Sequence, residues 1–331
     1  MEGLTQLGFE IPHTEFLNLT AEDLFSVKDK FATQVQATAI PTDGWVLKVE
    51  SFDQQKVLGH TSRYPKWAVA FKFSGDRAET QLLGIELNVG RTGILSPVGL
   101  LDPIILGGTR VERVSLHNAN TINENDIRIG DWVEIERAGR TIPTLREVLT
   151  ERRVGDEVEL DFEELAASQG FEIAFDADRN RWLLSEDDPE WRLKRLEHFV
   201  KSMKLRGVSP QTLRGWIEAD QVKEWSDLFQ LSEFEPSALH LSHEVFDQLN
   251  HTIEALRSKP LKRWLVAWGI EGIGPATAKK IEVEFHGLSQ LLNRATDSTF
   301  KPSSISDALW DRLKSWLQMN AVQIKMLILD D

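Results

Sequence analysis

The chain has 331 residues, 41% of them hydrophobic and 27% charged, with a formal net charge of −14 and no cysteine. That length accommodates two or three domains with cores of their own, and the balance is ordinary for a soluble globular protein. Disulfide frameworks and thiolate metal sites are excluded, as are membrane spans, because runs such as WLVAWGI are far too short. Coating of nucleic acid through bulk positive charge is excluded too, although local basic patches still decide contact.

The opening MEGLTQLGFE has no basic stretch followed by an apolar run, so it does not read as a signal peptide and a cytoplasmic location is expected. TAEDLFSVKDKFATQV, over 20–35, predicts an amphipathic helix with Thr20 as N-cap. Up to about residue 150 the chain then reads mainly as strands. DGWVLKVE, KWAVAFKF, LLGIELNVG, GILSPVGLL and DWVEIERAG are short, rich in β-branched and aromatic residues, and bounded by Gly, Pro, Asp and Asn. Residues 151–190 are acidic and weakly periodic and read as a linker or a small module. Beyond 190 the pattern turns helical: PEWRLKRLEHFVKSM, SPQTLRGWIEA, SHEVFDQLNHTIEALRS and SDALWDRLKSWLQMNA each carry a Pro start or a Ser cap.

Two stretches point to chemistry. In KWAVAFKF, read as a strand, Trp67, Val69, Phe71 and Phe73 share one face. Lys66, Ala68, Ala70 and Lys72 share the other. In TDGWVLKVE, Asp43-Gly44 is a turn and Lys48 projects from a strand with a core-like opposite side. One such lysine reads as an edge charge that discourages aggregation. Two of them, over cleared alanines, make the floor of a nucleotide pocket with paired point charges for a phosphate.

The second stretch is GIEGIGPATAKKI. Gly272 and Gly274 flank Ile273 in a tight turn that leads through Pro275 into a helix, with Lys279 and Lys280 a turn further on. A plain αα-hairpin needs such a turn as well. The pattern is demanding enough to favour binding of a DNA backbone at bare amides and a helix N-terminus. It resembles the helix-hairpin-helix motif, which grips duplex DNA without reading sequence.

Taken in order, DGWVLKVE, QQKVLGHTSRYPKWAVAFKF, NVGRTGILSPVGLLDPIILGGTRVERVSLHN and DIRIGDWVEIERAGRTIP resemble the bacterial NAD-dependent DNA ligases from about residue 40 to 150. The likeness continues less sharply through RLEHFVKSMKLRGV and the glycine turn. It implies a multidomain α+β protein. Residues 1–75 would be the C-terminal portion of the adenylation (nucleotidyltransferase) sheet, and 76–150 an OB-fold β-barrel. Residues 151–190 would be a degenerate zinc-finger-like connector without cysteines, and 191–331 an α-helical helix-hairpin-helix domain. It further implies that Lys48 and Lys72 contact the adenylate phosphate of NAD and that Asp43 orders the nucleotide or metal surroundings. Arg91 and Thr92 of GRTG would face DNA, although a turn arginine between two glycines accounts for Arg91 equally well. NAD and Mg²⁺ are the implied cofactors, and nicked double-stranded DNA is the implied partner, with no membrane.

Three departures shape the expectation. No Lys-x-Asp-Gly, the family's nucleophile motif, occurs in the chain, and ATAIPTDG stands where an arginine usually precedes the Asp-Gly turn. The chain is therefore expected to begin inside the catalytic domain and to be unable to form a protein–AMP adduct alone. A second chain carrying the N-terminal ligase half is one expected partner. A non-catalytic DNA-binding protein derived from a ligase is the alternative. The connector lacks the four zinc cysteines, so no zinc is expected and its fold needs its own small core. PSSISDALW, near the end, lacks the Gly-x-Gly turn.

Overall fold

A computed structural model of the protein describes residues 6–9, 23, 27, 44–61, 64–72, 75–137, 142–177, 179–185, 187–297 and 299–328. The helix expected over 20–35, along with Asp43 and Phe73, lies outside the described residues, apart from Asp23 and Val27 of that helix. The chain divides into two compact units, residues 1–77 with 136–141 and residues 78–135 with 142–331.

In the first unit β1 (Gly44–Lys48) and β2 (Ala68–Lys72) pair antiparallel as a two-stranded sheet. The second strand is shorter than KWAVAFKF suggests. Pro65 bridges His60, and Lys66 and Trp67 lie in the turn that follows, so Lys66 is not on the strand. The rings of Trp45 and Phe71 stack across the pair at 4.4 Å and 11°. This bulky side, read from the sequence as a core face, is only half-buried at Trp45, Leu47 and Phe71 and is exposed at Val69. Two strands alone do not cover a face.

The second unit holds a closed barrel in the order β3 (Asp76–Val89), β4 (Leu95–Leu106), β5 (Thr109–Ser115), β7 (Thr144–Val148), β6 (Trp132–Arg137). In β3 the buried side chains Leu82 and Ile85 are three apart, which strict alternation forbids. A register shift against β4 between Leu82 and Gly84 resolves the conflict by turning Leu83 outward. The helix Ala119–Glu124, capped by Asn118, buries Ala119 and Ile122 in the barrel's core. Asp131, with a fully buried side chain, accepts from Arg153 Nε at 2.7 Å and Nη2 at 2.9 Å and from the Arg128 amide at 2.7 Å.

Residues 151–190 do not build a separate core. Phe162 and Ala166 of the helix Phe162–Ser168, and Leu184 of β9 (Arg181–Leu184), join the barrel's apolar cluster. The Gln169 amide binds β3 from outside, donating to the Ile85 carbonyl and accepting from the Leu87 amide, both at 2.9 Å. A segment this short gains more from a core already present than from one of its own.

The rest of the unit is helical and forms a second apolar cluster. Pro189–Met203 starts from Asp188, which accepts from the Glu190 and Trp191 amides, and buries Leu193, Leu196, Phe199, Val200 and Met203 along one face. Pro210–Glu218, His243–Glu254 and Asp307–Met319 follow Ser209, Ser242 and Ser306 as the caps predict. Trp225 anchors the centre, 5.8 Å from Phe199, 6.2 Å from Trp264 and 5.8 Å from Trp268 between ring centroids. No helix among the described residues is long and apolar enough to cross a membrane.

Asp131→Ala is expected to lower unfolding free energy by about 2 kcal/mol, because Arg153 loses its buried partner and keeps only the half-exposed Asp126, while the Arg128 amide loses its acceptor. Urea denaturation measures this. A loss below about 1 kcal/mol would show that water replaces the carboxylate at no great cost.

Candidate functional site

The pairing register decides where the two lysines stand. Lys48 lies opposite Ala68 and Lys72 opposite Gly44. Paired residues in an antiparallel sheet share a face, so both lysines rise from the side that carries Val46, Ala68 and Ala70. They occupy diagonal ends of the ribbon, about 13 Å apart along the strands at 3.3 Å per residue. Both are exposed, as are Val46 and Ala70 between them. Small side chains flanked by two long cationic stems make a surface on which a flat base can lie with its phosphate in reach of ammonium groups. Asp43, the third residue expected here, lies outside the described residues.

The other expected residues fall in the second unit. Arg91 and Thr92 cap the β3–β4 hairpin, where the Gly93 amide donates to the Gly90 carbonyl at 3.0 Å. Gly93 has φ +76°, and a Cβ there would lie 2.7 Å from Cε2 of Trp191. The indole of Trp191 donates to the Arg91 carbonyl at 3.1 Å, so the loop is held from both sides. The Arg91 side chain is exposed, with Cδ 3.8 Å from where a Cβ on Gly269 would sit. Arg91 thus stands beside the turn between the helices Leu261–Ala267 and Pro275–Glu284.

That turn is stiffly built. Gly272 takes φ +85°, and a Cβ on it would meet Leu309 Cδ1 at 2.9 Å. Ile273 is buried, and its amide donates to the Ile270 carbonyl at 3.0 Å. Ile273 therefore seats the turn rather than presenting itself to a ligand. Gly274 is the N-cap of Pro275–Glu284 in extended conformation, where the first turn leaves amides without helical acceptors. Lys279 and Lys280 are exposed on that helix. His198 supports the turn from behind, donating from Nε2 to the Val266 carbonyl at 2.7 Å. Burial pushes its imidazole below the usual histidine range, and the charges of Arg91 and Lys201 push the same way.

The structure therefore brings Arg91 beside the glycine turn, with Thr92 next to it in the β3–β4 loop, and sets Lys48 and Lys72 on one face of a separate ribbon. Sequence reasoning passed over Trp191, His198 and Glu271, which hold the loop and the turn in place. Trp191 and Arg91 lie 100 positions apart. Nothing local in the sequence signals such a contact.

Residues 1–76 match the NAD-dependent DNA ligase adenylation domain, and residues 79–157 match the NAD-dependent DNA ligase OB-fold domain. The chain carries two domains of the NAD-dependent DNA ligase family. The DNA ligase of Bacillus licheniformis is 31% identical over 99% of this chain and 50% of its own length. That of Carboxydothermus hydrogenoformans is 31% identical over 96% of this chain and 48% of its own length. That of Oceanobacillus iheyensis is 34% identical over 94% and 47%. The chain thus spans about half the length of the curated relatives it matches.

Two outcomes follow from the turn. Gly272→Ala is expected to cost about 1 kcal/mol or more, from the forced positive φ and the clash with Leu309, as read by thermal unfolding. The Glu271 carboxylate is held below its ordinary value of 4.5, chiefly by hydrogen bonds from Arg181. A lowered folded value means that its contribution is complete above the ordinary value and is lost as the pH falls through the lowered one. The melting-temperature gap between the parent and Glu271→Gln, small for a part-exposed pair, should be present at neutral pH and close in strong acid.

Proposed function

We propose that this chain is the DNA-gripping part and one wall of the adenylate site of an NAD-dependent ligase that seals nicks in replication and repair. The nucleophilic lysine motif is absent from these 331 residues, and a polypeptide carrying the N-terminal ligase half supplies it. The observation that carries the reading is the register of β1 and β2, which sets Lys48 and Lys72 on one face across small side chains. A protein that only bound DNA would have little use for that arrangement.

NAD supplies the adenylyl group that activates the 5′-phosphate of a nick. The residues of this chain bind and neutralise: Lys48 and Lys72 hold the adenylate phosphate, whose transfer depends mainly on positioning and on balancing spread-out charge. Asp43, which precedes Gly44 in the sequence, orders the nucleotide. Arg91 and Thr92 hold one stretch of duplex backbone. The turn at Gly272–Gly274, the open amides that follow, Lys279 and Lys280 hold another, as a helix-hairpin-helix does. No group of three or more His, Asp or Glu suited to a metal occurs among the described residues, so none of them is assigned to Mg²⁺.

A second reading, a DNA-binding protein descended from a ligase, is favoured by one observation, the lack of Lys-x-Asp-Gly in the chain. The two are separated by supplying nicked duplex that already carries a 5′-AMP, with Mg²⁺. The ligase reading expects sealing that falls about a hundredfold or more in Lys72→Ala, the loss of a phosphate-clamping group. It also expects NAD-dependent sealing once a polypeptide bearing Lys-x-Asp-Gly is co-expressed. Binding of nicked duplex with no sealing in either arm would leave only the second reading. No binding at all would sink both.

A further inference from the structure

The turn expected to meet a phosphate backbone carries a carboxylate, Glu271, immediately before Gly272. On charge alone that residue belongs anywhere else. Its side chain is not free to swing. Arg181 grips both oxygens, Nη1 2.7 Å from Oε1 and Nη2 3.1 Å from Oε2, and Arg179 Nη1 stands 3.2 Å from Oε2. Arg181 is fixed in turn by Asp176, Nε to Oδ2 at 3.2 Å. From the other side Arg312 donates to the Glu271 carbonyl at 3.1 Å.

The arginines come from the hairpin of β8 (Ile173–Asp176) and β9, and that hairpin is joined to the barrel loop. The Leu184 amide donates to the Gly93 carbonyl at 3.0 Å, and Leu183 bridges Ile94. One short hairpin thus touches both the Arg91 loop and the glycine turn. A bidentate guanidinium–carboxylate pair fixes direction as well as distance. The Glu271 side chain is 35% exposed, so the pair adds little to global stability and is better suited to setting orientation.

We infer that Glu271 is a positioning residue for DNA contact: clamped by Arg181 and Arg179, it ties the Gly272–Gly274 turn to the β8–β9 hairpin and holds the Arg91 loop and the turn at one fixed spacing. This rests on the DNA-gripping reading above. The two surfaces have to meet the duplex backbone together, and a variable gap between them makes the second contact cost what the first did not. The clamp also screens the carboxylate, so that the turn meets phosphate with arginine charge in excess.

The sign of one substitution separates this role from a purely electrostatic one. Removing a negative charge near phosphates tightens binding if Coulomb attraction is all that matters. Positioning requires the reverse. In the intact chain, Glu271→Gln should weaken binding to a nicked duplex, read by fluorescence anisotropy, about tenfold, the worth of a charge-assisted bidentate contact. The slope of log Kd against log salt should fall by about one as a phosphate contact is lost. Arg181→Met should do the same, the double variant no worse than either single one, and Arg181→Lys should recover part of the loss. Amide hydrogen exchange in the DNA-free protein should rise in Glu271→Gln at both 91–94 and 272–274. Tighter binding by Glu271→Gln, additive losses, or unchanged exchange at either segment overturns the inference. Failure of the parent to bind nicked duplex overturns the functional reading instead, and the exchange measurement still decides whether the clamp couples the two segments.

Discussion

The second unit is organised around a place where a side chain is missing. At Gly93 the backbone turns to positive φ and leaves a notch that the Trp191 indole fills, its N–H reaching the Arg91 carbonyl. Trp191 lies in the first turn of Pro189–Met203, whose later turns bury Phe199 and Met203 in the helical cluster. The same helix carries His198, which reaches the turn between the next pair of helices. The indole in its glycine notch thus seats the helical part on the barrel, beside the β8–β9 hairpin that joins the same loop to the glycine turn.

Residues 151–190 have no cysteine, and they are fixed by apolar contact with the barrel, by one glutamine amide on β3 and by a cluster of arginines and carboxylates. These devices differ in what they contribute. Apolar burial supplies most of the free energy. The glutamine satisfies backbone groups that the barrel edge would otherwise leave open. The ion pairs add direction more than stability.

Much of this was legible in the sequence, and the rest was not, for physical reasons. Strands with alternating aromatic and β-branched residues, and helices with Ser, Asp or Pro at their starts, announce themselves because the signal is local. β5 and β7 escaped because TRVERVS buries two valines three apart and TLREV buries none, so neither shows period-two alternation. The short helix Phe52–Leu58 escaped because it buries nothing. At the candidate site, the residues tied to glycine turns or to strand faces could be named in advance. Glu271 sits inside the very motif that was read for its glycines, and its role depends on arginines ninety positions away. The core-face reading of Trp45 and Phe71 overshot for a related reason. Alternation says which residues share a side, not whether anything covers it.

The ribbon of β1 and β2 carries a consequence of its own. Neither of its sides is fully buried, so burial chooses only weakly between one alignment of the strands and the next. What holds the alignment is the stack of Trp45 on Phe71. A slip by a single position would break that stack, setting Trp45 against Ala70 or Lys72, and would carry one lysine to the far side of the sheet. The geometry a nucleotide would depend on is thus guarded by two aromatic rings that never touch it.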